Sequence, residues 1–185
     1  VTAPQSSFDA AGDAHRLAQF LRWLVPTAFG FAAFSAAGGP LFGDAASVRS
    51  ALLLSIAAVL FLIARSYLRA GRARHALALT GATALGIGPI LAINQPISSA
   101  VTMVPLIAVG VALSLLNGRR LAAFMLVAWL TIAATSVLLV VAPDGSTLPA
   151  WFTAVATSLG TVAVVGLFLL LIWHASERQR STLER

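Results

Sequence analysis

The chain has 185 residues, of which 59% are hydrophobic and 10% charged, with a mean hydropathy of +0.92. That balance leaves too little polar surface to cover a water-soluble core, whereas lipid tolerates an apolar exterior, so an integral membrane protein is expected. The formal charge of +6 comes from twelve arginines and no lysine; every basic cluster lies between or beside apolar stretches, a pattern of membrane orientation rather than of nucleic-acid binding.

Residues 1–16 mix Pro, Ser, Asp and Gly without periodicity and read as a flexible N-terminal tail. A hydrocarbon core of ~30 Å needs ~20 apolar helical residues to cross it. Six windows meet that length, at roughly 20–38, 48–67, 75–94, 97–116, 121–142 and 150–173. The predicted fold is therefore all-α and polytopic, with six transmembrane helices in residues 17–173 and the start of a cytoplasmic helix in 174–185. Turn and breaker signals separate the windows: Gly38-Gly39-Pro40, the segment Arg69 to Arg74, Asn94-Gln95-Pro96, Asn117-Gly118-Arg119-Arg120 and Pro143-Asp144-Gly145-Ser146.

Alternation of the spans places Arg16, Arg22, Arg65, Arg69, Arg72, Arg74, Arg119, Arg120, Arg178, Arg180 and Arg185 on one side. The other side holds Arg49, with Asp44 and Asp144. Basic residues mark the cytoplasmic face, so both termini are expected in the cytoplasm, with Arg69, Arg72, Arg74, Arg119 and Arg120 as the main topology determinants. A rival reading takes the first span as a cleaved signal peptide, with Ser35-Ala36-Ala37 as the cleavage site; the run from Phe20 is long for that role.

The spans differ in character. The second (Ala51 to Leu62) and sixth (Val162 to Ile172) are dense in Leu, Ile and Val, as lipid-facing helices are. The third carries Ala78, Ala82 and Gly86 at spacing four, a small-residue ridge that lets helices approach closely. Pro89 in the third span and Pro105 in the fourth each remove a helical hydrogen bond, freeing the carbonyls of Leu85 and Val101. Near these kinks lie Asn94, Gln95, Ser98, Ser99 and Thr102, a candidate outward-facing pocket for a lipophilic ligand, with helix-end amides in contact with water as the plainer alternative. Thr131 and Thr135, and Thr153, Thr157 and Thr161, form hydroxyl faces on the fifth and sixth spans; bonding back to the preceding turn is their ordinary role. Trp23, Trp151 and Trp173 fall at span ends, while Trp129 lies deeper and is expected to pack between helices.

Catalytic chemistry is missing from the sequence. No ionisable residue falls in the middle of a span, where pumps, proton relays and intramembrane hydrolases place theirs. His15, His75 and His174 sit at the expected cytoplasmic interface rather than at the depth a haem needs. There is no cysteine for a disulfide or thiolate metal site, no lysine for a Schiff base, and no phosphate loop or hydrolase motif. No cofactor, metal or catalytic residue is assigned.

After the sixth span the chain continues from Ile172 to Arg185 as a charged helix. Ile172, Ala175, Gln179 and Leu183 keep a seam at spacing three to four, with Glu177, Arg178, Arg180, Glu184 and Arg185 on the other faces, the arrangement of a signal-transmitting coiled-coil start. A basic tail held by anionic headgroups is the alternative.

The segments Val104 to Gly110 and Asn117 to Leu121, with Ala128-Trp129-Leu130, Ser146 to Trp151 and the exit Leu169 to His174, resemble the multi-pass N-terminal membrane region of bacterial sensor histidine kinases and related PAS or diguanylate cyclase signalling proteins. The resemblance covers roughly residues 100 to 185. It implies a sensory input module in the bacterial inner membrane, a homodimer formed through the last helix, and a downstream cytoplasmic signalling domain as partner. The kinase phosphoacceptor and ATP-binding motifs do not occur, and His174 at the membrane exit is poorly placed for the former. Two other classes stay open: a small transporter or permease subunit, against which the uncharged midplane counts, and a membrane anchor or assembly protein without ligand.

Overall fold

The structure is a computed structural model that describes residues 5–94, 104–109, 112, 118–141 and 148–183. Every regular element among them is helical. Five long helices are seen: α1 (Gln5–Phe42), α2 (Ala45–Arg69), α3 (Ala73–Asn94), α4 (Gly118–Val141) and α5 (Ala150–Leu183). Each contains a stretch long and apolar enough to cross a bilayer: Leu17–Phe42, Ala45–Arg69, Ala73–Ile93, Leu121–Val141 and Ala150–Leu167. The chain is thus a multi-pass, lipid-contacting helical protein. Most of the predicted fourth span lies outside the described residues; 104–109 are helical, and Pro105 within them is fully buried.

The sequence locates the helix ends well at α3 and α5 and less well at the first turn. The segment read as an aperiodic tail is helical from Gln5 onward. Gly38-Gly39-Pro40, expected to break the chain, lies inside α1, which runs on to Phe42. The turn is made by the next two residues. Gly43 takes a left-handed φ of 69°, which glycine adopts without strain, and donates its N–H to the Gly39 carbonyl at 2.8 Å. Asp44 then caps α2. The two earlier glycines serve close approach instead: a Cβ at Gly38 would stand 2.7 Å from Ser47 Oγ, and one at Gly39 would run into Val48 Cγ2.

At the other end of α2 the turn falls where the arginine-rich segment predicts it. Arg72 N–H reaches the Tyr67 carbonyl at 2.9 Å and Gly71 N–H the Leu68 carbonyl at 3.0 Å, with Gly71 at φ 73°, so the helix is closed by a glycine-terminated Schellman motif.

In chain order α1 packs along α2, α2 along α3, and α3 against α4, while α5 returns to α1. Helix association in lipid gains little from apolar burial and depends on close packing of small side chains. The inward faces follow that rule. On α2, Ser50, Ala57 and Ala64 point inward, whereas Leu52, Ile56, Val59, Leu62 and Ile63 point outward. The second span is therefore not simply lipid-facing: its Leu and Ile residues face out and its small residues face the bundle.

On α3 the ridge predicted from Ala78, Ala82 and Gly86 points the wrong way. All three are exposed, and the buried ridge is Ala76, Thr80, Ala84, Gly88 and Ala92, at the same spacing but two residues out of phase. Two residues turn a helix by about 200°, so the two ridges lie on opposite faces. Gly81 abuts the Phe124 ring of α4, a Cβ there meeting Phe124 at 3.4 Å. The outermost helix is α4, with only 11% of its span buried, and Trp129, expected between helices, is 64% exposed on its outer surface. Ala128 and Thr135 are the fully buried positions of α4.

Candidate functional site

The inward faces of α1, α2, α3, the helical segment 104–109 and α5 line a half-open cavity of about 180 Å³. It exists because small side chains meet there: Ala28 of α1, Ala57 of α2, Ala84 of α3, and Ala156, Gly160 and Ala163 of α5 leave a gap, with Leu24, Phe61, Ile107 and Leu167 toward one end. At the other end stand Phe34, Ser35, Leu148 and Phe152. None of the described residues that line it is charged.

Among the described residues, one buried polar atom in this wall has no partner. Ser50 is 1% exposed, lines the cavity, and its Oγ finds no hydrogen bond. A buried hydroxyl without a partner is destabilised by about 1–3 kcal/mol, so such groups are rare in settled packing. Many other hydroxyls of the helices bond back one turn. Thr27 donates to the Trp23 carbonyl at 2.8 Å, Ser55 to Ala51 at 2.8 Å and Thr80 to Ala76 at 2.8 Å. Thr131, Thr135 and Thr157 do likewise, to Val127, Thr131 and Thr153, and Thr153 donates to Ala150. Thr131, Thr135, Thr153 and Thr157 are thus locally satisfied, in the ordinary way for membrane helices.

The Ser50 end of the cavity is built by two side-chain clusters. Asp44, 2% exposed, accepts from the Ser47 N–H at 2.8 Å and the Ser47 hydroxyl at 2.6 Å through the same Oδ2, which fixes the start of α2 one turn ahead of Ser50. Beside it, aromatic rings tie the end of α1 to the start of α5. Phe34 stacks on Phe152 at 4.8 Å between centroids and 7° between planes, and Phe42 meets Phe152 at 5.2 Å and Trp151 at 5.9 Å, both edge-on. Such pairs contribute roughly 0.5–1.5 kcal/mol each beyond their buried area.

Comparison of the chain with protein-family models, curated proteins and solved structures finds no match. The geometry alone therefore carries the functional argument.

Of the ligand residues predicted from sequence, Pro89 is half-buried within α3, Pro105 is buried in the helical segment 104–109, and Asn94 is the last residue of α3. The Asn94 side chain, and Gln95, Ser98 and Thr102, lie outside the described residues. Ile172, Ala175, Gln179 and Leu183 all fall on the unbroken α5 backbone, and Arg119 and Arg120 in the first turn of α4; their side chains lie outside the described residues too. Arg69, Arg72 and Arg74 are exposed around the α2–α3 turn. His15 and His75 are exposed, and among the described residues no group of three His, Asp or Glu side chains is placed to hold a metal.

Sequence reading missed Asp44, Ser47 and Ser50 as a unit. A signal was present: Asp44 with a serine three residues on, ahead of an apolar run, is an N-cap pattern. The cavity itself left no mark in any periodicity.

Proposed function

We propose that this chain is the sensory input module of a bacterial inner-membrane signalling protein, with both termini cytoplasmic, in which occupancy of the interhelical cavity is passed along α5 to a cytoplasmic output domain of the histidine kinase or diguanylate cyclase type. One observation carries the reading: the helix that forms the cavity wall through Ala156, Gly160, Ala163, Val164 and Leu167 continues without interruption to Leu183. Its 34 residues span about 51 Å, against a hydrocarbon core of ~30 Å, so a single rigid element both senses the interior and leaves the membrane. The small side chains on its cavity face leave it room to shift, and the occupant's volume sets where it rests. Pairing of two copies along the Ile172, Ala175, Gln179 and Leu183 seam supplies the dimer through which such shifts are read.

The test uses a protein in which this chain is followed in frame by an output domain. One residue inserted after Gln179 rotates everything downstream by about 100°, whereas seven restore the facing positions of a heptad. The single insertion is expected to lock or abolish output and the heptad to preserve it. Output that ignores both insertions makes the tail a tether and the chain a membrane anchor.

A further inference from the structure

We infer that the cavity binds a neutral, single-chain amphiphile through Ser50: a medium-chain ketone, ester or other molecule with one hydrogen-bond-accepting oxygen and an unbranched apolar tail. Three observations fix that chemistry. The first is the unpaired donor. Ser50 Oγ is buried at the cavity wall with no partner, while Ser55, one turn further along the same helix, bonds back to Ala51 at 2.8 Å. The Ser50 hydroxyl, itself out of contact with the cavity space, keeps a proton that a guest can accept once the side chain turns toward it.

The second is charge. No Arg, His, Asp or Glu lines the described wall, and Asp44 at the start of α2 accepts from Ser47. An ionised head would lie in this apolar wall without a counter-charge, at a cost of several kcal/mol. The head must therefore be uncharged.

The third is shape and polarity along the axis. Ser35 and Ser50 lie toward the Phe34, Leu148 and Phe152 end, and the wall then runs apolar past Leu54, Ala57 and Phe61. From Ser50 to Phe61 is about 16 Å of helix, so the gap is a slot rather than a sphere. Cavities of about 150 Å³ take a six-carbon ring, so 180 Å³ laid out along a slot takes in proportion about seven carbons, head included. Head at Ser50 and tail toward Leu24, Phe61 and Leu167 is the orientation that matches both ends.

This assignment deepens the sensory reading and rests on it for its biological meaning. Its test reads binding alone, so failure here leaves the insertion experiment standing, and failed coupling there leaves binding intact. The protein in lipid nanodiscs is titrated with methyl pentyl ketone carrying a carbon-13 label at the carbonyl, and with its isostere in which a methylene group replaces the carbonyl oxygen. Saturable one-to-one binding is expected, with a carbonyl resonance displaced from that of ketone dissolved in lipid. Ser50→Ala should weaken the ketone about three- to tenfold and abolish the displacement, and the isostere should bind the wild type as weakly as the ketone binds Ser50→Ala. Ala57→Phe and Ala163→Phe fill the slot from two different helices, and both should abolish binding while far-UV circular dichroism is retained. Equal affinity of ketone and isostere, binding that survives both filling variants, or tighter binding of a fatty carboxylate of the same length would each overturn the inference. So would the absence of saturable binding to the folded wild type.

Discussion

Gly30 and Gly38 lie on the same helix and differ in one respect. A Cβ at Gly30 meets nothing within 4 Å, whereas one at Gly38 meets Ser47 Oγ at 2.7 Å, Ser47 Cβ at 3.0 Å and Leu148 Cδ2 at 3.4 Å. Alanine at either position gains the same helix preference, at most about 1 kcal/mol. The difference between the two variants therefore isolates the contact. Ser47 cannot swing away cheaply, because it is fully buried and both its N–H and its hydroxyl are held by Asp44. Overpacking against such a neighbour is destabilising by about 1–3 kcal/mol. Gly38→Ala should thus be less stable than Gly30→Ala by that amount, with Gly30→Ala at or slightly above the wild type. Unfolding by sodium dodecyl sulfate in mixed micelles, followed by far-UV circular dichroism, measures the difference. Adding Ser47→Ala to Gly38→Ala should recover only part of the loss, since the Cβ contact remains. If the two alanine variants agree within about 0.5 kcal/mol, α1 and α2 do not meet as described and the reasoning fails.

Asp44→Ala should destabilise the same unfolding transition by about 1–2 kcal/mol through loss of the cap, and Asp44→Asn, which keeps an acceptor oxygen, by clearly less; equal losses would assign the effect to charge rather than to hydrogen bonding. For topology, a reporter active only outside the cytoplasm should be silent at Arg72, Arg119 and Arg185 and active near Asp44, Pro96 and Gly145; activity at Arg119 would refute the six-span arrangement. Replacing Arg69, Arg72 and Arg74 with neutral residues should add molecules in which the second and third spans are misinserted, read by the same reporters.

Length and hydropathy were enough to locate the five long apolar helices among the described residues, because the requirement of crossing ~30 Å of hydrocarbon is written in consecutive residues. The rotation of each helix was not. In a soluble helix the polar face points out and fixes the phase, but α3 is apolar all round, so Ala78, Ala82 and Gly86 look as suitable for packing as Ala76, Thr80, Ala84, Gly88 and Ala92. Only the greater length of the second series favours it, and counting the members of each ridge would have chosen correctly. Gly38 and Gly39 misled for a related reason: two glycines and a proline read as a turn, yet a glycine also marks the place where another helix comes near, and here the second meaning won. Trp129 was assigned by depth alone, although a helix on the outside of the bundle exposes its aromatic residues at any depth. The cavity was illegible because it is an absence, produced jointly by small residues on four helices that are far apart in the chain.

The connectors between α1, α2 and α3 are only two and three residues long, and each is locked by a left-handed glycine, Gly43 or Gly71. With so little slack, those three helices move as one block. Against this block α5 packs at two levels, through Phe152 on Phe34 and Phe42 near its start and through Val164 and Leu167, which are buried in one cluster with Leu17, Phe20 and Phe61. Phe152 and Leu167 lie about 22 Å apart along the axis, and the α5 backbone runs about 24 Å further to Leu183. A helix held at both levels tilts little, so motion passed along it to Leu183 is rotation or sliding about its own axis.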